Sequence, residues 1–184
     1  MDLNNYLSPT RARAVPEGTK ERELVSNALR NLWHTIFDPC PSLVELAPPD
    51  GKFLMEPFLD WAQGEGLSMS WTLHVHLLRW LLKEPEFNQR IDESHKRALI
   101  AAAAQRWAVS NMADIRNIGK NGILIHCQGY AGYVVGARKA SAVDKGPQLK
   151  LLRLDGEPPD LDSAYAFSTA ARDWEHGRWR AVPA

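Results

Sequence analysis

Residues 113–142, ADIRNIGKNGILIHCQGYAGYVVGARKASA, constrain the fold of this chain more than any other stretch. Met112, Ile115 and Ile118 recur at intervals of three, which predicts a short amphipathic helix. Gly119 and Gly122 break it, and the apolar run Ile123–Cys127 predicts a strand. The turn Gly129-Tyr130-Ala131-Gly132 leads to a second strand, Tyr133–Val135. Gly136-Ala137-Arg138-Lys139 follows, and a helix of one to two turns is expected from there. A glycine with two cations at a strand-to-helix junction suits a phosphate. Backbone N–H groups at the helix start face the anion, the helix dipole favours it, and the Arg138 guanidinium can clamp it.

The charge balance limits what such a site can mean. The chain has 184 residues with 22 basic and 22 acidic side chains, so the formal net charge is zero. Bulk attraction to nucleic acid or to an anionic membrane is not expected, and any such contact must be local. The sequence holds no apolar run of about 18 residues that could span a membrane. The opening MDLNNYLSPTRARAV lacks the apolar centre of a secretory signal, which leads us to expect a cytoplasmic protein. Cys40 and Cys127 are then expected as free thiols, and Cys127, inside an apolar strand, reads as a small buried hydrophobe.

Upstream, residues 1–18 carry Pro9, Pro16, Gly18 and scattered charge without a period, and read as a flexible arm. Thr19 can cap a helix running to about Phe37, with Leu24, Val25, Ala28, Leu29, Leu32, Trp33 and Ile36 as its apolar stripe. Asp38-Pro39-Cys40-Pro41 stops it. Residues 42–66 are ambiguous: Pro48-Pro49-Asp50-Gly51 is a turn signal, and a short helix is expected within Phe53–Trp61, starting after Pro57. Ser70 can cap a helix Trp71–Lys83, bounded by Pro85, and Asp92 opens another to about Val109 with Leu99, Ile100, Ala103 and Trp107 inward. Residues 19–110 therefore read as mainly helical, with Trp33, Trp61, Trp71, Trp80 and Trp107 expected in the core. Beyond Lys145-Gly146-Pro147, Leu149–Leu154 reads as a strand, Asp160 as the cap of a helix Leu161–Trp174, and 176–184 as a loose end.

Other constellations carry less chemistry. His74 and His76 lie two apart, so on a helix they point about 200° apart and cannot share an ion. Neither Cys pairs nor H-E-x-x-H accompany them, and no metal site is expected. P-loop, G-x-G-x-x-G and G-x-S-x-G patterns are also missing, which disfavours the nucleotide folds and hydrolases built on them. Arg172, Trp174, Arg178, Trp179 and Arg180 mix cations with aromatics, as single-strand binders do, but a tail packed back on the domain explains them as well.

The order helix, glycine, strand, turn, strand, basic box resembles the ParB/sulfiredoxin superfamily over residues 111–174. Ala113, Ile115 and Ile118, Gly122, Ile123–Ile125, Tyr133–Val135 and Gly136, Arg138, Lys139 and Ala142 carry the resemblance. Ala137 stands where the superfamily's box has glutamate and Lys139 where it has a second arginine, which favours phosphate binding over metal-assisted hydrolysis. The resemblance implies an α/β (α+β) protein, a helical N-terminal half followed by a small mixed sheet with helices in residues 111–184. It implies a plasmid fertility-inhibition factor that blocks conjugative DNA transfer through a type IV secretion system, bound to the system's coupling protein or transfer substrate at the inner membrane. ATPase and DNase activity would accompany that role, with ATP or another nucleotide as ligand and a divalent metal if the nuclease reading holds. Arg138, Lys139 and His126 would be the catalytic candidates, and Gly136, Arg138, Lys139, Lys120 and Arg116 would hold nucleotide or DNA phosphate. Two rivals remain beside it: a non-enzymatic module that binds a partner protein through the tryptophan-rich helical half, and a ParB-like nuclease unrelated to transfer.

Overall fold

A threonine ahead of an apolar stripe starts the longest helix among the described residues. The computed structural model describes residues 8–109, 122–126, 133–137, 150–154, 165–168 and 180–181. Within them the short α1 (Pro9–Arg13) precedes α2 (Lys20–Phe37). Thr19 is extended, and its hydroxyl accepts the Arg22 N–H at 3.1 Å, satisfying one donor that the first turn leaves open. Glu21 and Glu23 in that turn suit the positive end of the helix dipole. Val25, Ile36 and Phe37 are buried, whereas Leu24, placed in the stripe from sequence, is 45% exposed. It neighbours Val25 about 100° further round the helix and falls off the inward face.

The Pro41 ring then opens a 3-10 helix, Pro41–Leu46, that buries Leu43 and Leu46. Cys40 lies just before it as a free thiol, and burial pushes that thiol up to about 12, so it stays protonated as an inert part of the core.

Helix α3 (Lys52–Gly64) differs from expectation, because it starts five residues before Pro57 and carries that proline inside. Gly51 makes this start possible. It adopts φ +76°, a left-handed conformation that glycine takes without cost, and its carbonyl accepts the N–H groups of Leu54 and Met55. Leu54, Met55, Phe58, Leu59 and Ala62 form the buried face.

By its contacts the chain divides into two units, one of residues 1–69 and 80–91, the other of residues 70–79 and 92–184. The first unit centres on α2 and α3. Its Phe58 ring lies 5.9 Å from Trp80 and 6.1 Å from Trp61, and Trp80 lies 5.4 Å from Phe87 of α5 (Pro85–Asn88). Part of the expected arm belongs here as well. α1 docks on α3, and Arg22 donates to the Ala12 carbonyl.

The second unit holds the start of α4 (Leu73–Lys83), all of α6 (Glu93–Val109) and the strands. Leu99, Ala103 and Trp107 of α6 are fully buried, and α6 packs on β1 (Gly122–His126) and β2 (Tyr133–Ala137). Ala102, Ala103 and Ala104 are buried in succession, so this helix is covered on more than one side and its small residues allow close approach. β3 (Lys150–Leu154), β4 (Tyr165–Ser168) and β5 (Arg180–Ala181) complete the order β3-β2-β1-β4-β5.

This arrangement overturns the expected fold class. Helices predominate among the described residues, and the strands do not form a mixed ParB/sulfiredoxin-like sheet, since each of the four pairings is antiparallel. β1 and β2 are joined by only the residues 127–132, a hairpin-length link that cannot make the crossover a parallel pair needs. β4 replaces part of the helix expected at Leu161–Trp174. Tyr165 and Phe167 are aromatic residues at alternate positions, and pairing with β1 decides the matter over local helix propensity. Arg180 and Ala181, expected in a loose end, pair with β4. No helix among the described residues is long and apolar enough to cross a membrane.

Candidate functional site

One concavity among the described residues lies in the first unit, an open cleft of about 630 Å³ where α1 meets the turn before α3. Successive turns of α3 supply its floor. Phe53, Glu56, Pro57 and Asp60 stand at the i, i+3, i+4, i+7 spacing that puts them on one face. Pro49 and Asp50 come from the turn, and Trp33 holds that turn by donating its indole N–H to the Asp50 carbonyl at 2.6 Å.

The charges here are arranged in pairs. Lys52 Nζ lies 2.6 Å from Asp50 Oδ2, and the Lys52 backbone N–H donates to Asp50 Oδ1 at 3.1 Å. The lysine hydrogen bond holds the Asp50 carboxyl below its ordinary range and raises the lysine in return. Arg13 pairs with Glu56 across the cleft. Asp60 is held differently. Its Oδ1 accepts from the Ser8 hydroxyl, and its Oδ2 accepts from the Thr10 hydroxyl at 2.7 Å. Burial pushes this carboxyl up, but the two hydroxyls, the Thr10 N–H and the nearby Arg13 charge outweigh it and keep it below the usual carboxylate range. Two cations thus face three carboxylates, leaving one negative charge in excess.

A second polar cluster opens α6. Asp92 Oδ1 accepts the backbone N–H groups of Ser94 (2.9 Å) and His95 (3.0 Å), the Ser94 hydroxyl (2.7 Å) and His95 Nδ1 (2.6 Å). This is the helix cap expected from sequence. The backbone N–H of His95, the Ser94 hydroxyl and the imidazole hold the Asp92 carboxyl far below its ordinary value. His95 is buried, and its Nε2 has no hydrogen-bond partner among the described residues. Because the folded-state pKa is lowered, the carboxylate's stabilisation is present above the unfolded value near about 4 and is lost as pH falls toward the folded value. Asp92→Ala should therefore melt at a lower temperature than wild type at pH 7. The gap should narrow below about pH 4 in thermal scans followed by circular dichroism. A gap of constant size down to about pH 2.5 would refute this role for the carboxylate.

The residues singled out from sequence are placed elsewhere. Gly136 lies inside β2, opposite Ile123 on one side and Leu151 on the other, so its backbone belongs to a strand flanked by two neighbours. His126 closes β1 opposite Tyr133. Arg116, Lys120, Arg138 and Lys139 lie outside the described residues. His74 and His76 are both on α4, and burial, then Arg79, lowers the His76 pKa. The described residues hold no group of three or more His, Cys, Asp or Glu arranged to bind a metal ion. Sequence reasoning missed the cleft. The Pro48-Pro49-Asp50-Gly51 turn and Pro57 were its only local signals, and neither reveals that α1 docks beside α3.

Comparison with known proteins overturns the superfamily resemblance. Residues 13–183 match a family model described as "Methanobactin biosynthesis cassette protein MbnC-like". The match spans both units and includes the stretch from which a ParB/sulfiredoxin relationship was read. The plasmid fertility-inhibition protein Osa, which the layout and approximate length of this chain resemble, is therefore not its counterpart. Fertility inhibition, conjugation and type IV secretion fall with that resemblance. A glycine followed by two cations after a strand is too short a pattern to identify a superfamily. No curated protein matches the chain.

Proposed function

The chain belongs to the MbnC-like family, and we propose from this that it acts in methanobactin biosynthesis. One observation carries the reading: the family match runs through 13–183, so it takes in the helical unit and the strand-bearing unit together rather than one shared module.

The test is genetic. In a producing host whose own MbnC-like gene is deleted, methanobactin should disappear from the spent medium by mass spectrometry, and expression of this chain should restore it. Deletion that leaves the yield intact, or failure of a well-expressed, folded chain to restore it, would refute the reading.

A further inference from the structure

We propose that the cleft between α1 and α3 docks a segment of a partner protein that presents a cationic side chain beside an apolar one. Four features of the surface converge on that occupant. Phe53 is 72% exposed, the more exposed of the two large hydrophobic side chains that stand out on the described surface. An aromatic ring in that setting offers apolar area and a π face that attracts a guanidinium or ammonium. Pro57 lies four residues after Phe53 within α3 and has no N–H, so the Phe53 carbonyl lacks its usual helical donor and remains an acceptor for an incoming N–H group. The cleft carries one more carboxylate than cation, and Asp60, an anion over the whole neutral range, retains lone pairs beyond those used by Ser8 and Thr10. Arg13 and Lys52 are already engaged by Glu56 and Asp50, so they do not offer free positive charge to an acidic segment.

The surface is also prepared for binding. Pro49 and Pro57 have rigid rings, so these two positions lose little side-chain freedom when a ligand enters, and the Arg13–Glu56 pair links α1 to α3 beside them. An acidic segment would meet the excess carboxylate and find no unpaired cation in compensation. Docking of this kind does not depend on the biosynthetic role, so failure of either leaves the other standing.

Two peptides distinguish the outcomes, acetyl-Leu-Arg-Leu-Arg-amide and acetyl-Leu-Glu-Leu-Glu-amide, each titrated into the full-length, nitrogen-15-labelled protein. The arginine peptide should shift the backbone amides of Lys52, Phe53, Glu56 and Asp60 saturably, and the glutamate peptide should not. Phe53→Ser, at an exposed position where folding is not at stake, should weaken the arginine peptide about tenfold. Asp60→Asn should weaken it as well. Absence of a saturable shift, an equal response to the glutamate peptide, or full affinity in Phe53→Ser would overturn the proposal. So would shifts of the same amides on raising the protein concentration alone, because a second copy would then be the occupant.

Discussion

Gly51→Ala should lose about 3 kcal/mol of stability in urea denaturation, the sum of backbone strain and overpacking. The residue sits at φ +76°, where any Cβ is strained. A Cβ built there would meet Cζ of Phe37 at 2.5 Å and Cε1 at 2.8 Å. Those ring atoms cannot simply swing away, because Phe37 is 1% exposed and its ring packs at a tilt against Trp33, 5.1 Å between centroids. The same tryptophan fixes the Asp50 carbonyl, so displacing Phe37 also disturbs the turn that begins α3. Gly18 provides the control. It shares φ +76°, but its Cβ would meet nothing within 4 Å, so Gly18→Ala should lose only the conformational part, about 1 kcal/mol. Equal losses in the two variants would show that the contact with Phe37 contributes nothing.

Phe58→Ala should be more damaging, at about 3–5 kcal/mol, the usual range for deleting a fully buried phenyl ring. Phe58 is 0% exposed and touches both Trp61 and Trp80, so the first unit loses the centre of its aromatic cluster. Trp80 is itself 4% exposed in a close-packed interior and has little freedom to fill the space. Phe58→Leu, which keeps most of the volume, should lose about 1.5 kcal/mol. Phe53→Ala, five residues earlier on the same helix but at an exposed position, should stay within about 0.5 kcal/mol of wild type. Denaturation followed by circular dichroism ranks the three. A Phe58→Ala protein as stable as Phe53→Ala would contradict the placement of the core.

How much of this was legible depends on the range over which each feature is decided. Thr19 and Asp92 bond to N–H groups within three residues, so both helix starts could be read directly from the chain. β1, β2 and β3 announced themselves as apolar or β-branched runs bounded by glycine or proline. Features set by distant partners were not legible. Tyr165–Ser168 sits in an alanine-containing stretch after a good capping residue, and only its pairing with Ile123–Ile125, far back in the chain, makes it a strand. Pro57 stood for a helix start by rule, but Gly51 and the buried Phe37 ring set the start earlier. The cleft was hidden for the same reason, since Asp60 is bound by Ser8 and Thr10 from about fifty residues upstream and no local pattern encodes that contact. The family assignment failed differently, because an order of elements shared by many small α/β units was read as one lineage.

The strand order has a consequence for synthesis. β1 lies between β2 and β4, and its Ile123, Leu124 and Ile125 are all fully buried. On the ribosome β2 emerges soon after β1 and can cover one edge, but the partner for the other edge is translated only at residues 165–168. Until then a nascent chain carries an apolar strand with an open row of backbone donors and acceptors, the kind of surface that captures neighbouring chains. Slow elongation, or a stop codon falling between these two strands, would therefore weigh on recovered yield through aggregation before any mature contact is lost.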